Sequence, residues 1–316
     1  RLDGTRMDAA VFTNLSQDHL DYHADLTDYQ SAKARLLDLL KGDGWAVVNR
    51  DDPSWIGLPA SPARTLFFGI SAGVAAGAAG REVAGDGDPP GLKASDLELM
   101  SDGSRFTLEV GGEKVNVSLP LLGGFNVENA LAAAGAALVA GLSLGEIAEG
   151  LSSAPQIPGR LERIAKEPFS VLIDYAHTPD ALERVLSTLR PLAGGRLLVL
   201  FGAGGDRDKG KRPLMGEVAA RLADLSIVTS DNPRTEDPDI IIDDVVEGMG
   251  NAPLQRFVDR KEAIGAVLKE ARPDDLVLLA GKGHEDYQVV GLEKLPFDET
   301  SIARDFLAIR EREEWA

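Results

Sequence analysis

Cysteine is absent from the 316 residues, which removes disulfides, zinc–thiolate centres and cysteine nucleophiles from consideration. No apolar run approaches the ~18 residues that a membrane-crossing helix needs, so no association with a membrane is expected. Positive charge is scarce. With 33 Lys and Arg against 51 Asp and Glu, the net charge is −18, which argues against non-specific binding of nucleic acid or anionic membranes. A cytoplasmic enzyme with local basic pockets for anionic small molecules fits this balance. Two common nucleotide motifs are also missing. No stretch reads Gly-x-x-x-x-Gly-Lys-Ser/Thr, so Gly281-Lys282-Gly283 is not a phosphate loop. Phe201-Gly202-Ala203-Gly204-Gly205 falls short of a dinucleotide fingerprint, because Arg207 stands where the third glycine belongs. Histidine is rare as well. All four histidines (His19, His23, His177 and His284) fall inside polar motifs rather than scattering over the chain.

What is present suits two domains, with 44% hydrophobic residues to build cores. In the first half, Ala9–Phe12 reads as the end of a buried strand, and Asp28 to Leu40 reads as a helix with apolar positions at Tyr29, Ala32, Leu36, Leu37 and Leu40. Strands are expected at 45–49 and 65–70. The Gly- and Ala-rich stretch 72–91 reads as a surface excursion. Short strands at 96–100, 105–110 and 114–119 follow, with turns at Asp102-Gly103 and Gly111-Gly112. An alanine-rich helix from Asn126 to about Ala140 should stop at Gly141, and Ser143-Leu144-Gly145-Glu146 has capping-box spacing for the next helix.

The second half alternates apolar runs with helical stretches. The runs 170–176, 196–202, 225–230 and 275–280 suit parallel strands buried on both faces, and 179–189, 212–223, 238–249 and 260–271 read as helices. This alternation predicts an α/β fold with a doubly wound, Rossmann-like sheet. Two prolines and a glycine in Ala154–Gly159 predict the hinge between the halves.

Polar clusters fall where such folds hold ligands, at strand ends. Thr13-Asn14-Leu15-Ser16-Gln17-Asp18-His19-Leu20-Asp21-Tyr22-His23 follows the first strand, with Lys33 ten residues on. Lys33 also reads as an exposed helix lysine. Asp174 and His177, in Asp174-Tyr175-Ala176-His177-Thr178-Pro179-Asp180, end a strand, although His177 also suits a cap or a core. The glycines before Asp206-Arg207-Asp208 suit close approach of backbone to a ligand, with Arg207 aimed at a carboxylate. Asp231-Asn232-Pro233-Arg234 is turn chemistry that leaves Arg234 unexplained. Asn126, in Gly124-Phe125-Asn126-Val127-Glu128-Asn129, reads equally as a helix N-cap.

Taken in order, these motifs resemble the Mur ligases of peptidoglycan synthesis. Thr-Asn-Leu-x-x-Asp-His-Leu-Asp-Tyr-His, Tyr29-Gln30-Ser31-Ala32-Lys33, Asp174–Asp180, Gly204–Pro213, Asp231–Arg234 and Gly281-Lys282-Gly283-His284-Glu285-Asp286-Tyr287 carry the resemblance over nearly the whole chain. It implies part of a central ATPase domain over residues 1–158 and an amino-acid-binding Rossmann-like domain over 159–316. It also implies a phosphate loop and a metal-binding Glu upstream of residue 1. The implied activity is ATP-dependent amide synthesis through an acyl phosphate, joining meso-diaminopimelate to UDP-N-acetylmuramoyl-L-alanyl-D-glutamate, with ATP and Mg²⁺ and in a monomer.

The resemblance also distributes roles. His19 and a carbamylated Lys33 would hold magnesium, since a free ammonium would repel the ion. Asn126, Asn129, Arg160, Asp174 and His177 would meet the nucleotide. Arg207, Asp231, Asn232, Arg234, Gly281 and Glu285 would take the amino acid, and Arg1 the UDP-sugar dipeptide. The lysine-adding version is the nearest enzyme alternative, opposed by Asn232-Pro233-Arg234. Folylpolyglutamate and cyanophycin-type ligases should lack the Asp-Asn-Pro-Arg and Gly-Lys-Gly-His-Glu motifs. A non-catalytic amino-acid-binding module is the alternative from another class.

Overall fold

The computed structural model describes residues 4–15, 25–59, 64–70 and 91–314. Arg1, Ser16 to His23 (His19 among them) and most of the Gly/Ala-rich stretch lie outside the described residues. The chain divides into two compact units between Pro155 and Gln156.

In the first unit, six described strands make one sheet in sequence order: β1 (Met7–Phe12), β2 (Leu40–Asn49), β3 (Arg64–Ile70), β4 (Gly91–Met100), β5 (Gly103–Val110) and β6 (Glu113–Leu119). The pairs from β1 to β4 are parallel, and those from β4 to β6 are antiparallel hairpins. Alternation in β2 and β3 feeds two cores. Val47 and Phe68 face α2 (Gly124–Val139) and α3 (Leu144–Ser152), while Ala46 and Val48 join Ala10, Phe12, Leu37 and Trp55 on the other side. The helix expected over 28–40 is shorter. α1 spans Leu26–Ala34, the chain tightens into a 3-10 turn over Arg35–Leu39, and Leu40 already pairs with Met7. Pairing with β1 outweighs helical periodicity here, because it buries Leu37 and Leu40. The stop after α2 is as expected: Gly141 adopts φ +95, where a side chain would be strained. The capping box at Ser143 and Glu146 is formed in both directions.

The second unit is doubly wound. Its sheet runs β11-β10-β9-β12-β8-β7, with β8 (Ser170–Asp174), β9 (Leu197–Phe201), β10 (Leu225–Thr229), β11 (Leu254–Phe257) and β12 (Leu276–Ala280) parallel, and β7 (Glu162–Ala165) antiparallel at one edge. β9 and β12 are buried at every residue, which is why they read as continuous apolar runs. The connecting helices are α4 (Pro179–Leu189), α5 (Lys211–Leu222), α6 (Pro238–Glu247) and α7 (Arg260–Glu270). α8 (Glu299–Glu314) packs beside α7 over the core of Val171, Ile173, Leu198, Leu200 and Ile227. β7, β11, α8 and a hairpin of β13 (Tyr287–Val290) and β14 (Glu293–Pro296) add to the elements expected from the sequence. Their short or polar sequences carry little periodic signal.

Candidate active site

In the second unit, strand order reverses where β12 returns between β9 and β8. The crevice outside the carboxyl ends of strands at such a switch point is where open α/β sheets bind ligands. Four polar motifs end there: Asp174–His177 after β8, Gly204–Arg207 after β9, Asp231–Arg234 after β10, and Gly281–Glu285 after β12.

The loops after β10 and β12 are joined side chain to side chain. Asn232 Nδ2 donates to Glu285 Oε2 at 3.0 Å, and the ammonium of Lys282 donates to Asn232 Oδ1 at 2.7 Å. Asp231, Asn232 and Lys282 are all buried, and Glu285 is half-buried. Arg234 is half-buried at φ +52, with its amide donating to Val289 O at 3.0 Å and its guanidinium to Gly205 O at 2.7 Å. Arg207 is exposed on the neighbouring loop, where its guanidinium donates back to Asp206 O. Gly281, at φ +112, donates its amide to Asp174 O at 3.0 Å.

The glycine run after β9 also has a packing role. A side chain at Gly202 or Gly205 would strike the backbone at Thr229 or Pro233, and one at Gly204 would meet Arg234. The glycines let this loop lie against the loop after β10.

Beneath these loops lie buried cations that composition alone does not reveal. Arg260, wholly buried, donates to Glu299 Oε1 at 2.8 Å and to Ala280 O at 2.8 Å, and also reaches Ser230 O. It thereby ties the ends of β10 and β12 together. Arg212 is likewise buried and donates to Glu236, Asp244 and Gly204 O. Glu236 in turn accepts from the Asp206 amide, so the loops after β9 and β10 share one anchor. Hydrogen bonds from Arg212 first, then Lys209, pull the Glu236 carboxyl down to about 2. The signal that could have exposed Lys282 is its place between two glycines directly after a buried strand.

At the β8 edge, Asp174 is buried and its carboxylate accepts from the amides of Leu161 at 2.8 Å and Ala176 at 2.9 Å. Burial pushes its pKa up, against those hydrogen bonds and the nearby Arg160. Arg160 is exposed with its guanidinium 4.9 Å from the Tyr175 ring centre, and His177 lies 4.6 Å from the same ring. His177 Nδ1 is 2.8 Å from Tyr175 O, and the cap of α4 is Thr178, so the capping reading of His177 does not hold.

In the first unit, a cavity of about 270 Å³ opens at the carboxyl end of β1, lined by Thr13, Asn14, Tyr29, Lys33, Leu36 and Trp55 among others. Lys33 is exposed, with its ammonium 5.1 Å from the Tyr29 ring centre. His19 and Arg1 lie outside the described residues. Asn126 is not an N-cap. α2 begins at Gly124 with Gly123 before it, and buried Asn126 donates from its amide back to Leu122 O at 2.9 Å. Asn129 is exposed and donates to Asn126 Oδ1 at 3.3 Å. Among the described residues, no group of three His, Cys, Asp or Glu is placed to hold a metal, and no helix is long and apolar enough to cross a membrane.

These two folds and their strand-end motifs define a class. Residues 1–137 match the Mur ligase middle domain and residues 159–283 the Mur ligase glutamate ligase domain, and the chain belongs to the Mur ligase family. A relative from Gloeobacter violaceus, a UDP-N-acetylmuramoyl-L-alanyl-D-glutamate–2,6-diaminopimelate ligase, is 45% identical over 98% of this chain. The match covers 61% of that relative, so the chain spans about three-fifths of the length of the curated relatives it matches. A solved ligase of the same description is 37% identical, with a TM-score of 0.61 over 98% of this chain and 62% of the other. The MurF ligase of Thermotoga maritima, solved in complex with ADP, shares the fold at a TM-score of 0.70 and 18% identity, covering 98% of this chain and 64% of that one.

Proposed function

We propose that this chain is the central and C-terminal part of an ATP-dependent amide ligase that joins meso-diaminopimelate to UDP-N-acetylmuramoyl-L-alanyl-D-glutamate in the cytoplasm. The observation that carries the reading is the joined pair of loops Asp231–Arg234 and Gly281–Glu285 at the sheet's switch point. There a guanidinium, an amide and carboxylates stand together, a set suited to one carbon that bears both an ammonium and a carboxylate. Arg234 supplies a planar fork matched to a carboxylate. Arg207 adds a second cation, Glu285 takes the ammonium and the backbone of Gly281 completes the contact.

Residues 1–155 supply the other half of the chemistry in this reading. Magnesium there would offset charge on the transferring phosphoryl group. The oxygen-bearing Thr13 and Asn14 share a cavity with exposed Lys33, and that donor set suits magnesium once Lys33 carries a carbamate. His19 would be a further ligand and Arg1 would meet the UDP-sugar dipeptide. Asn129, exposed beside Asn126, would meet the nucleotide, with Asn126 holding it in place. Arg160, Asp174 and His177 would also meet the nucleotide, with Asp174 fixing the Leu161 and Ala176 amides. The role of Asp231 is to accept the far ammonium alongside Glu285. The diaminopimelate ligases among the relatives and the ADP-bound fold neighbour support this reading.

The test is steady-state ligation by the full-length protein with meso-diaminopimelate and with L-lysine. Lysine lacks the far carboxylate, and sites built to bond a group reject analogues without it by ~10⁴. Equal use of the two amino acids, or no ligation of either, would refute the assignment.

A further inference from the structure

Lys282 has no solvent exposure, yet its charge is not spent on a single partner. Its ammonium lies 2.7 Å from Asn232 Oδ1, 2.7 Å from Tyr287 O and 3.3 Å from Glu285 Oε2. A fourth acceptor, Asp231 Oδ1, is also 3.3 Å away. An ammonium has three protons. The two short contacts take one each, and the third goes to Glu285 Oε2. Asp231 Oδ1 is buried, makes no hydrogen bond and has the 3.3 Å ion pair with Lys282 as its contact. It therefore keeps the capacity to accept a hydrogen bond from a second cation.

The amide of Asn232 is fixed by the same arrangement. Its Oδ1 accepts from Lys282 and also from the Val289 amide at 2.8 Å. Both lone pairs are taken, and a flipped amide would set its NH₂ against an ammonium and a backbone N–H. Nδ2 gives one hydrogen to Glu285. Its second hydrogen has no acceptor among the described residues.

We propose that Lys282 is a positioning residue for amino-acid selection. It locks Asn232 with a donor facing the crevice and holds the Asp231 and Glu285 carboxylates together as an ammonium acceptor. The site then offers one N–H to a carboxylate and one carboxylate oxygen to an ammonium, beside the Arg234 fork. This matches the zwitterionic far end of diaminopimelate rather than a simple amine, and it rests on the diaminopimelate reading above. Arginine cannot substitute, because its planar fork does not match acceptors arranged around a compact tripod of donors.

The experiment compares the full-length protein with its Lys282→Met and Lys282→Arg variants, measuring KM for meso-diaminopimelate, ATP and the UDP-dipeptide separately. Loss of hydrogen bonds among charged groups should raise the diaminopimelate KM by about 10–100-fold in Lys282→Met. Lys282→Arg should show a rise of at least roughly tenfold on the same ground. KM for the other two substrates should stay within about twofold, since their contacts lie elsewhere. A lysine that merely supports the fold would lower the active fraction and leave every KM in place. An unchanged diaminopimelate KM in either folded variant overturns the proposal. If both variants fail to fold, a structure of the wild-type protein with meso-diaminopimelate decides: Asn232 Nδ2 must donate to the far carboxylate, and Asp231 or Glu285 must accept from the far ammonium. A reversed amide, or an ammonium bound elsewhere, overturns it. A wild-type protein that does not use diaminopimelate refutes the proposed function and this inference with it. An active wild type with KM insensitive to Lys282 refutes this inference alone.

Discussion

The two units bury different things. In the first, the described buried polar residues are uncharged: Asn49, Ser104 and Asn126. In the second they include Arg212, Arg260 and Lys282, together with Asp174, Asp231, Asp275 and Glu299. Buried ion pairs are a poor source of stability, because desolvation offsets most of their attraction, and apolar replacements are often neutral or better. Positioning accounts for the contrast. Arg212 anchors the loops after β9 and β10, Arg260 ties the ends of β10 and β12, and Lys282 joins the side chains those ends carry. All three lie under one crevice. The first unit's candidate, Lys33, is instead exposed at a cavity mouth, with no such anchoring required of its fold.

The sharpest break in this contrast is Arg234→Ala in the full-length protein. It should lower kcat/KM for meso-diaminopimelate by ~10³–10⁴ and give no gain with lysine, since the partner groups would be left unpaired. Steady-state rates with both amino acids check it. Next comes Arg260→Met. It strands Glu299, whose carboxyl burial already pushes up in pKa against the pull of Arg260. Urea unfolding should show a loss of about 3–5 kcal/mol, with most of it recovered in the Arg260→Met, Glu299→Leu double variant. If the single variant is as stable as wild type, Arg260 is not an anchor. Lys33→Ala should do the reverse in the first unit. If Lys33 holds magnesium as proposed, the substitution should cost roughly a hundredfold or more in kcat, with the melting temperature unchanged because the side chain is exposed. A large drop in melting temperature would make Lys33 structural.

Acid offers a milder probe. The Glu236 carboxyl is held at about 2, against an ordinary 4.5, chiefly by Arg212 and Lys209. A depressed carboxylate stabilises the fold above its unfolded value, and that stability drains away as pH falls from about 4.5 towards 2. Because Glu236 keeps some contact with water, the effect is on the order of 2 kcal/mol. Unfolding free energies at pH 6 and pH 3 should therefore converge in Glu236→Gln relative to wild type, and parallel pH slopes would discount the anchor. Smallest is Ser143→Ala, which opens the capping box of α3 in the first unit. A loss of about 1 kcal/mol by urea unfolding is expected, with no change in any KM. A KM change would show that α3 reaches the chemistry.

The same contrast governs what the sequence made legible. Apolar runs revealed β8, β9, β10 and β12 because those strands are buried on both faces, and α4 could be read to its ends from Thr178-Pro179 and its apolar stripe. The motifs placed the candidate residues at strand ends, since Asp231, Asn232 and Gly281 directly follow or nearly follow β10 and β12. Leu40 misled because its helical spacing concealed a pairing with Met7, thirty-three positions away. Lys282, Arg212 and Arg260 stayed hidden for a deeper reason. A charged residue in a sequence implies solvent unless its partners are known, and most of those partners sit on other loops and helices.

In the proposed function, a prebuilt set of donors and acceptors at the ends of β10 and β12 reads both charges of one carbon. LL-diaminopimelate tests it most directly, because it carries the same groups as the meso form with the far carbon inverted. With the full-length protein, meso-diaminopimelate should be the substrate and the LL form should be used at least ~100-fold less well in kcat/KM, since inversion unpairs one of two charge-assisted bonds. Equal kcat/KM for the two isomers would contradict the claim.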